Sequence, residues 1–207
     1  MISRTLAALA IGVTAACGPA PTPVVAAKEA TSRFHKGDFV VYRYSGLFST
    51  EPVEVRERVV EQNGNHVTFD VVATRGSEQR HWSTVVTDTP ENARGNVIDA
   101  LYEYTGAERH KLDNANNADL VRLGAWTVLA DGKDDNVHSE RAMLEVGHDS
   151  FTCDRAFGTS HWHGRALKFE RFECPDLLWK HGRARYWDES TGEEIFRADV
   201  ADLGNQP

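Results

Sequence analysis

Alternation of apolar and polar residues dominates the chain from residue 33 onward. Val67, Phe69, Val71 and Ala73 fall on one face of an extended segment, with Thr68, Asp70 and Thr74 on the other. Such period-two patterning marks a half-buried strand. Upstream, Val53, Val55 and Val59 share a face that Glu57 interrupts. Asn63-Gly64 lies between the two runs, and both residue types tolerate positive φ, so Val53 to Arg75 is expected to fold as a tight hairpin. Phe39 to Tyr44, Arg80 to Thr87, Leu120 to Ala130 and Ala142 to Val146 have strand-like composition. Arg183 to Asp188 and Glu194 to Ala201 form a last hairpin through Ser190-Thr191-Gly192. Closely spaced turn signals of this kind point to an all-β domain.

One segment carries a different period. Thr89 suits an N-cap, Pro90 the first helical position and Glu91 the positive end of the helix dipole. Ala93, Val97, Ile98, Leu101 and Tyr102 then recur at helical spacing, with Gly106 as the stop. This predicts a helix packed on the sheet through its apolar stripe. Residues 107 to 119, rich in Asn and Asp, read as a loop. Asp131 to Asn136 reads as a solvated hairpin tip, its glycine and carboxylates being misplaced for a calcium loop. The expected fold is therefore mainly β: an antiparallel curved sheet, half-barrel or sandwich, with one packed α-helix and no second domain.

The first seventeen residues, MISRTLAALAIGVTAAC, depart from this pattern. A basic start at Arg4, an apolar stretch from Leu6 to Val13 and small residues before Cys17 make the three-part layout of an export signal. Thr14-Ala15-Ala16-Cys17 resembles the lipobox of bacterial lipoproteins, with Thr where Leu is usual. The resemblance covers the export segment alone and implies cleavage before Cys17 and acylation of that cysteine. It also implies a membrane partner through the acyl anchor. Gly18 rather than Asp after the cysteine implies the outer membrane, facing the periplasm. Residues 17–32, with Pro19, Pro21 and Pro23 among small residues, read as an extended tether. The resulting division is a signal peptide at 1–16, a lipidated tether at 17–32 and a single domain at 33–207.

An exported chain places Cys153 and Cys174 in an oxidising compartment, where a disulfide is the default. A hairpin turning at His163-Gly164 pairs residues whose numbers sum to 327, as those of the two cysteines do. That register sets Asp154 against Glu173. Gly158-Thr159-Ser160 offers a competing turn that breaks it.

Composition narrows the functional classes. The 207 residues are 41% hydrophobic and 26% charged, which supports a core. No apolar run reaches the roughly 20 residues of a bilayer-spanning helix. A net charge of −8 argues against a nucleic-acid partner, whose phosphates demand basic surface. No zinc-protease, phosphate-loop or dinucleotide motif occurs. Gly158-Thr159-Ser160-His161-Trp162 lacks the last glycine of a nucleophile elbow. His161 and His163 share a face if both lie in a strand and could then offer two metal ligands, but a site needs three or four. If residue 163 is the turn, both sit at an exposed tip.

No catalytic residues and no cofactor are indicated. The expectation is a non-catalytic cell-envelope lipoprotein, a binding or structural module that docks onto an envelope protein or holds a small apolar ligand. The layout resembles periplasmic lipoproteins in which a curved sheet wraps a helix around a lipid-sized cavity. Phe39, Val41, Phe69, Val71, Val97 and Leu101 would line either a core or such a cavity. An exported hydrolase and a metal-binding or metal-sensing module through His161 and His163 are the remaining alternatives.

Overall fold

The computed structural model describes residues 32–95, 97–113, 134–179 and 181–206, with the side chains of residues 93–95 left aside. The signal peptide, Cys17 and nearly all of the tether lie outside these residues, as does the expected strand at Leu120 to Ala130. Among the described residues no helix is long and apolar enough to cross a membrane.

The strands are β1 (Asp38–Gly46), β2 (Ser49–Asn63), β3 (His66–Arg75), β4 (Glu78–Thr87), β5 (Ala100–Thr105) and β6 (Glu108–Lys111). After residues that lie outside the description come β7 (Asp135–Val146), β8 (Asp149–Trp162), β9 (Arg165–Glu173), β10 (His181–Asp188) and β11 (Glu194–Asn205). They form one 11-stranded sheet in the order β6-β5-β4-β3-β2-β1-β11-β10-β9-β8-β7. All paired neighbours run antiparallel. The fold is a single sheet, not the two facing sheets of a sandwich. Two meanders of hairpins meet at a central seam, where the first strand pairs with the last from Asp38↔Asn205 to Gly46↔Phe196.

The hairpin logic of the sequence survives with local corrections. The β2–β3 loop is Gly64-Asn65 rather than Asn63-Gly64, with Asn63 already paired to His66. A register shift between Val59 and Glu61 takes up the extra residue. Gly158, Thr159 and Ser160 lie inside β8 and do not turn. A Cβ at Gly158 would sit 2.8 Å from the Asp135 carbonyl oxygen, so the glycine serves a close strand approach instead. Glu108–Lys111, expected as loop, is the edge strand β6. Asp135 and Asn136, expected in a hairpin tip, open β7.

The largest correction concerns the helix. Helix α1 spans only Pro90–Gly95. Its start is as expected: the Asn92 amide donates to Thr89 Oγ1 at 3.2 Å, an N-cap bond. It does not continue as a stripe packed on the sheet. Gly95 is a poor helix former, and the residues beyond it are rich in β-branched and aromatic types that favour strands. Val97 is 47% exposed, whereas Leu101 is fully buried in β5 opposite Thr84.

Two core clusters fill the inner side of the sheet. One gathers Val53, Val55, Val59, Val67, Phe69, Val71, Ala73, Trp82 and Leu101 with Phe34. The other gathers Val40, Tyr42, Leu144, Val146, Phe172, Leu177 and Val200 around Cys153 and Cys174. Tyr44 and Trp179 pack against both. Two irregular segments therefore cover the inner face in place of the expected helix: the N-terminal stretch with Phe34, and the β9–β10 connection with Leu177 and Trp179. Their aromatic rings meet each other and β3, Phe34 lying 5.0 Å from Phe69 and 5.3 Å from Trp179.

Candidate functional site

The inner face is not filled throughout. A cavity of about 450 Å³ opens beside the first cluster. The alternation of β3 and β4 supplies its floor: Phe69 and Val71 from one strand, Trp82, Thr84 and Val86 from the next. Val97 and Ile98, just past α1, form one wall, and Phe34 and Trp179 another. Arg33, Asp88 and Asn92 also line it. The opening end is tied to the start of the domain. Ser32 Oγ donates to Asp88 Oδ2 at 2.7 Å and the Arg33 amide donates to the same oxygen at 3.3 Å. Ser32, the last residue of the expected tether, is itself buried and belongs to the fold.

Glu57 lies where the cavity meets a second hollow of about 310 Å³, lined by Tyr42, Tyr44, Phe196 and the start of β10. Both Glu57 and Trp179 line both spaces. The alternation of β2 forces this placement, because residue 57 belongs to the inward row with Val53, Val55 and Val59. What looked like an interruption of an apolar face is a carboxyl group turned toward the cavity. The Trp179 indole N–H donates to Glu57 Oε2 at 2.9 Å. Among the described residues no Lys, Arg or His pairs with this carboxylate.

Burial among apolar groups pushes the Glu57 carboxyl above its ordinary value, and the Trp179 hydrogen bond only partly offsets this. Burial, followed by the proximity of Glu57, raises the Tyr42 and Tyr44 hydroxyls as well, so both phenols stay neutral. Tyr42 donates its hydroxyl hydrogen to the His181 carbonyl at 2.9 Å. The arrangement is suited to binding. Its polar atoms are few, fixed and set in an apolar wall.

The other residues singled out in the sequence lie elsewhere. Cys153 and Cys174 are bridged, with Cα atoms 4.1 Å apart. The hairpin has the register that joins them: Asp154 pairs with Glu173 and Trp162 with Arg165 across a His163-Gly164 turn. The like-charge pair is relieved by Arg141, whose Nε lies 3.2 Å from Asp154 Oδ1. His163 takes φ 48° at the tip, outside β8, and His161 lies one residue before the end of that strand, both exposed, so the two do not share a strand face. Among the described residues no group of three His, Cys, Asp or Glu side chains is placed to hold a metal ion. Ser160 is buried, and Ser83 Oγ is buried without a hydrogen-bond partner among the described residues.

Of the six apolar residues expected to line a core or cavity, Phe69, Val71 and Val97 face the cavity. Leu101 is core. Phe39 and Val41 are buried outside both clusters and do not line it; Phe39 packs instead under the Arg56 guanidinium at 4.7 Å. Sequence reading missed Phe34, Trp82, Trp179 and the role of Glu57. The one available signal was the carboxylate at an inward strand position.

No known family model matches the chain, and no curated protein matches it in sequence. Among solved structures, a protein described as a lipoprotein from Parabacteroides distasonis ATCC 8503 aligns with 86% of this chain and 100% of its own length, with a TM-score of 0.43 and 10% identity. A protein described as exported, with a YmcC-like fold, from Bacteroides fragilis NCTC 9343 aligns with 86% of this chain and 100% of its own, with a TM-score of 0.40 and 7% identity. Likeness at this level carries no argument about function.

Proposed function

We propose that this protein is a non-catalytic lipoprotein of the bacterial cell envelope, anchored through Cys17 to the outer membrane on its periplasmic side. Its domain would carry a lipid or small apolar ligand in the cavity beneath Trp179. One observation carries the binding role: a cavity of about 450 Å³ floored by Phe69, Val71 and Trp82, a size that suits a small-molecule site. The anchor rests on the lipobox-like Thr14-Ala15-Ala16-Cys17 and the tether after it.

The test is native mass spectrometry of the full chain bearing Cys17→Ser, exported and purified without detergent. A lipid-sized adduct is expected, and it should be lost when Val71→Trp fills the floor. A bare mass, together with no uptake of an environment-sensitive apolar dye, would overturn the carrier role and leave docking onto an envelope protein. Acyl labelling of the wild type, abolished by Cys17→Ser, tests the anchor separately.

A further inference from the structure

The cavity has a charge-bearing group that the described residues leave without a countercharge. Glu57 receives one hydrogen bond, from the Trp179 indole, and pairs with no cation among them. Two other charged groups on these walls, Asp88 and Arg183, are already engaged. Asp88 accepts from Ser32 and the Arg33 amide. Arg33 stands at the same end of the cavity, with its guanidinium 5.0 Å from the Phe34 ring centre. Arg183, beside the adjoining hollow, donates to Asp199 at 2.8 Å. Around Glu57 the walls are aromatic: Trp179 borders both spaces, Tyr42 and Tyr44 one, Phe69 and Trp82 the other.

A carboxylate set among aromatic side chains is the chemistry that receives an organic cation. The ring quadrupoles attract positive charge, and the desolvated carboxylate gains the countercharge it lacks. An anionic ligand would meet repulsion there. A neutral one would leave the carboxyl unpaired.

We infer that the cavity accepts a cationic amphiphile, its ammonium head held at Glu57 among Trp179, Tyr42 and Tyr44 and its apolar tail laid along Phe69, Val71, Trp82 and Ile98. The inference rests on the ligand-binding role proposed above and names the ligand's chemical class.

The experiment titrates three probes of equal chain length into the full chain bearing Cys17→Ser: decyltrimethylammonium, decanol and decanoate. Each is kept below its micelle concentration. Tryptophan fluorescence and calorimetry report binding, since Trp82 and Trp179 line the site. Salt at about 0.15 M screens the net charge of −8. The cation is expected to bind about tenfold tighter than decanol, with decanoate weakest, and Glu57→Gln should remove that advantage. Circular dichroism checks that the variant folds. If it does not, the order of the three probes on the unsubstituted site decides alone. Decanol binding as well as the cation, or an advantage that persists in Glu57→Gln, would overturn the cationic class while leaving an apolar carrier. Failure of all three probes to bind would overturn both.

Discussion

The two halves of the sheet, either side of the β1–β11 seam, handle buried polarity in opposite ways. On the β7–β10 side, carboxylates meet arginines. Arg155 bridges Glu140 and Glu170 at 2.6 and 2.7 Å, and Asp199 of the seam strand accepts from Arg183 and Arg197. A disulfide joins the walls of that half's core. On the β2–β5 side, the inward carboxylate has an indole partner and a cavity beside it. One half is tied by covalent and ionic links. The other sets its inward carboxylate beside a cavity of about 450 Å³, whereas the hollow of about 420 Å³ on the first half has Arg155 and Glu170, already paired with each other, in its wall.

The largest expected effect separates the halves by one residue type. Phe172, buried in the β7–β10 core cluster and away from the cavity, should cost about 3–5 kcal/mol on substitution by alanine. Phe69, on the cavity floor, should cost about 2 kcal/mol, because part of its contact surface already faces space. Urea unfolding of the two variants gives the difference; equal losses would show that the cavity is closed up in solution. Next comes the disulfide. Reduction, or Cys153→Ser with Cys174→Ser, should remove about 3 kcal/mol, since the bridge spans 21 residues. That loss should leave binding at the Glu57 site within about twofold after refolding.

Smaller effects come from pH, and the two halves should slope in opposite directions. Glu57 is held above its ordinary value, so its contribution is present in acid and is lost as pH rises. Wild type should lose stability relative to Glu57→Gln as pH rises above the ordinary carboxylate range in the unliganded protein. Burial pushes the Asp199 carboxyl up, but hydrogen bonds from Arg197 and Arg183 together outweigh that and hold it low. Its stabilisation is therefore lost as pH falls through the acid range, and Asp199→Asn should flatten that arm of the profile. Parallel slopes in both variants would erase the distinction. The smallest change is at the hairpin tip, where His163→Gly relieves a positive φ and should shift stability by under about 1 kcal/mol without altering metal content.

Strand content was legible because hairpins are local. Val67 to Ala73 alternates in sequence and in burial alike, and the β8–β9 register follows from turn chemistry together with the positions of two cysteines. Helical period misled over Val97 to Tyr102 because five apolar residues can satisfy one periodicity while backbone pairing with Thr84 and Ser83 decides another. The cavity was less legible still. Trp179 lies in an irregular connection, yet its ring centre ends 6.4 Å from that of Phe69. No periodic signal announces such a crossing. Glu57 was visible as a flaw in an apolar row, but its partner lies 122 residues away.

The central seam sets a timetable for the chain. Residue 38 must wait for residue 205 before its strand has both neighbours. Each meander can zip from its own tight turns within a short stretch of chain, whereas the last closure joins segments from the two ends of the domain. Contacts so distant in sequence are slow to form. Until β11 arrives, β1 presents an open edge through the middle of what will be the sheet, the kind of edge that pairs with other chains. A chain cut short after Asp188 would be left as two unjoined meanders, so the final strand acts as a checkpoint on complete synthesis.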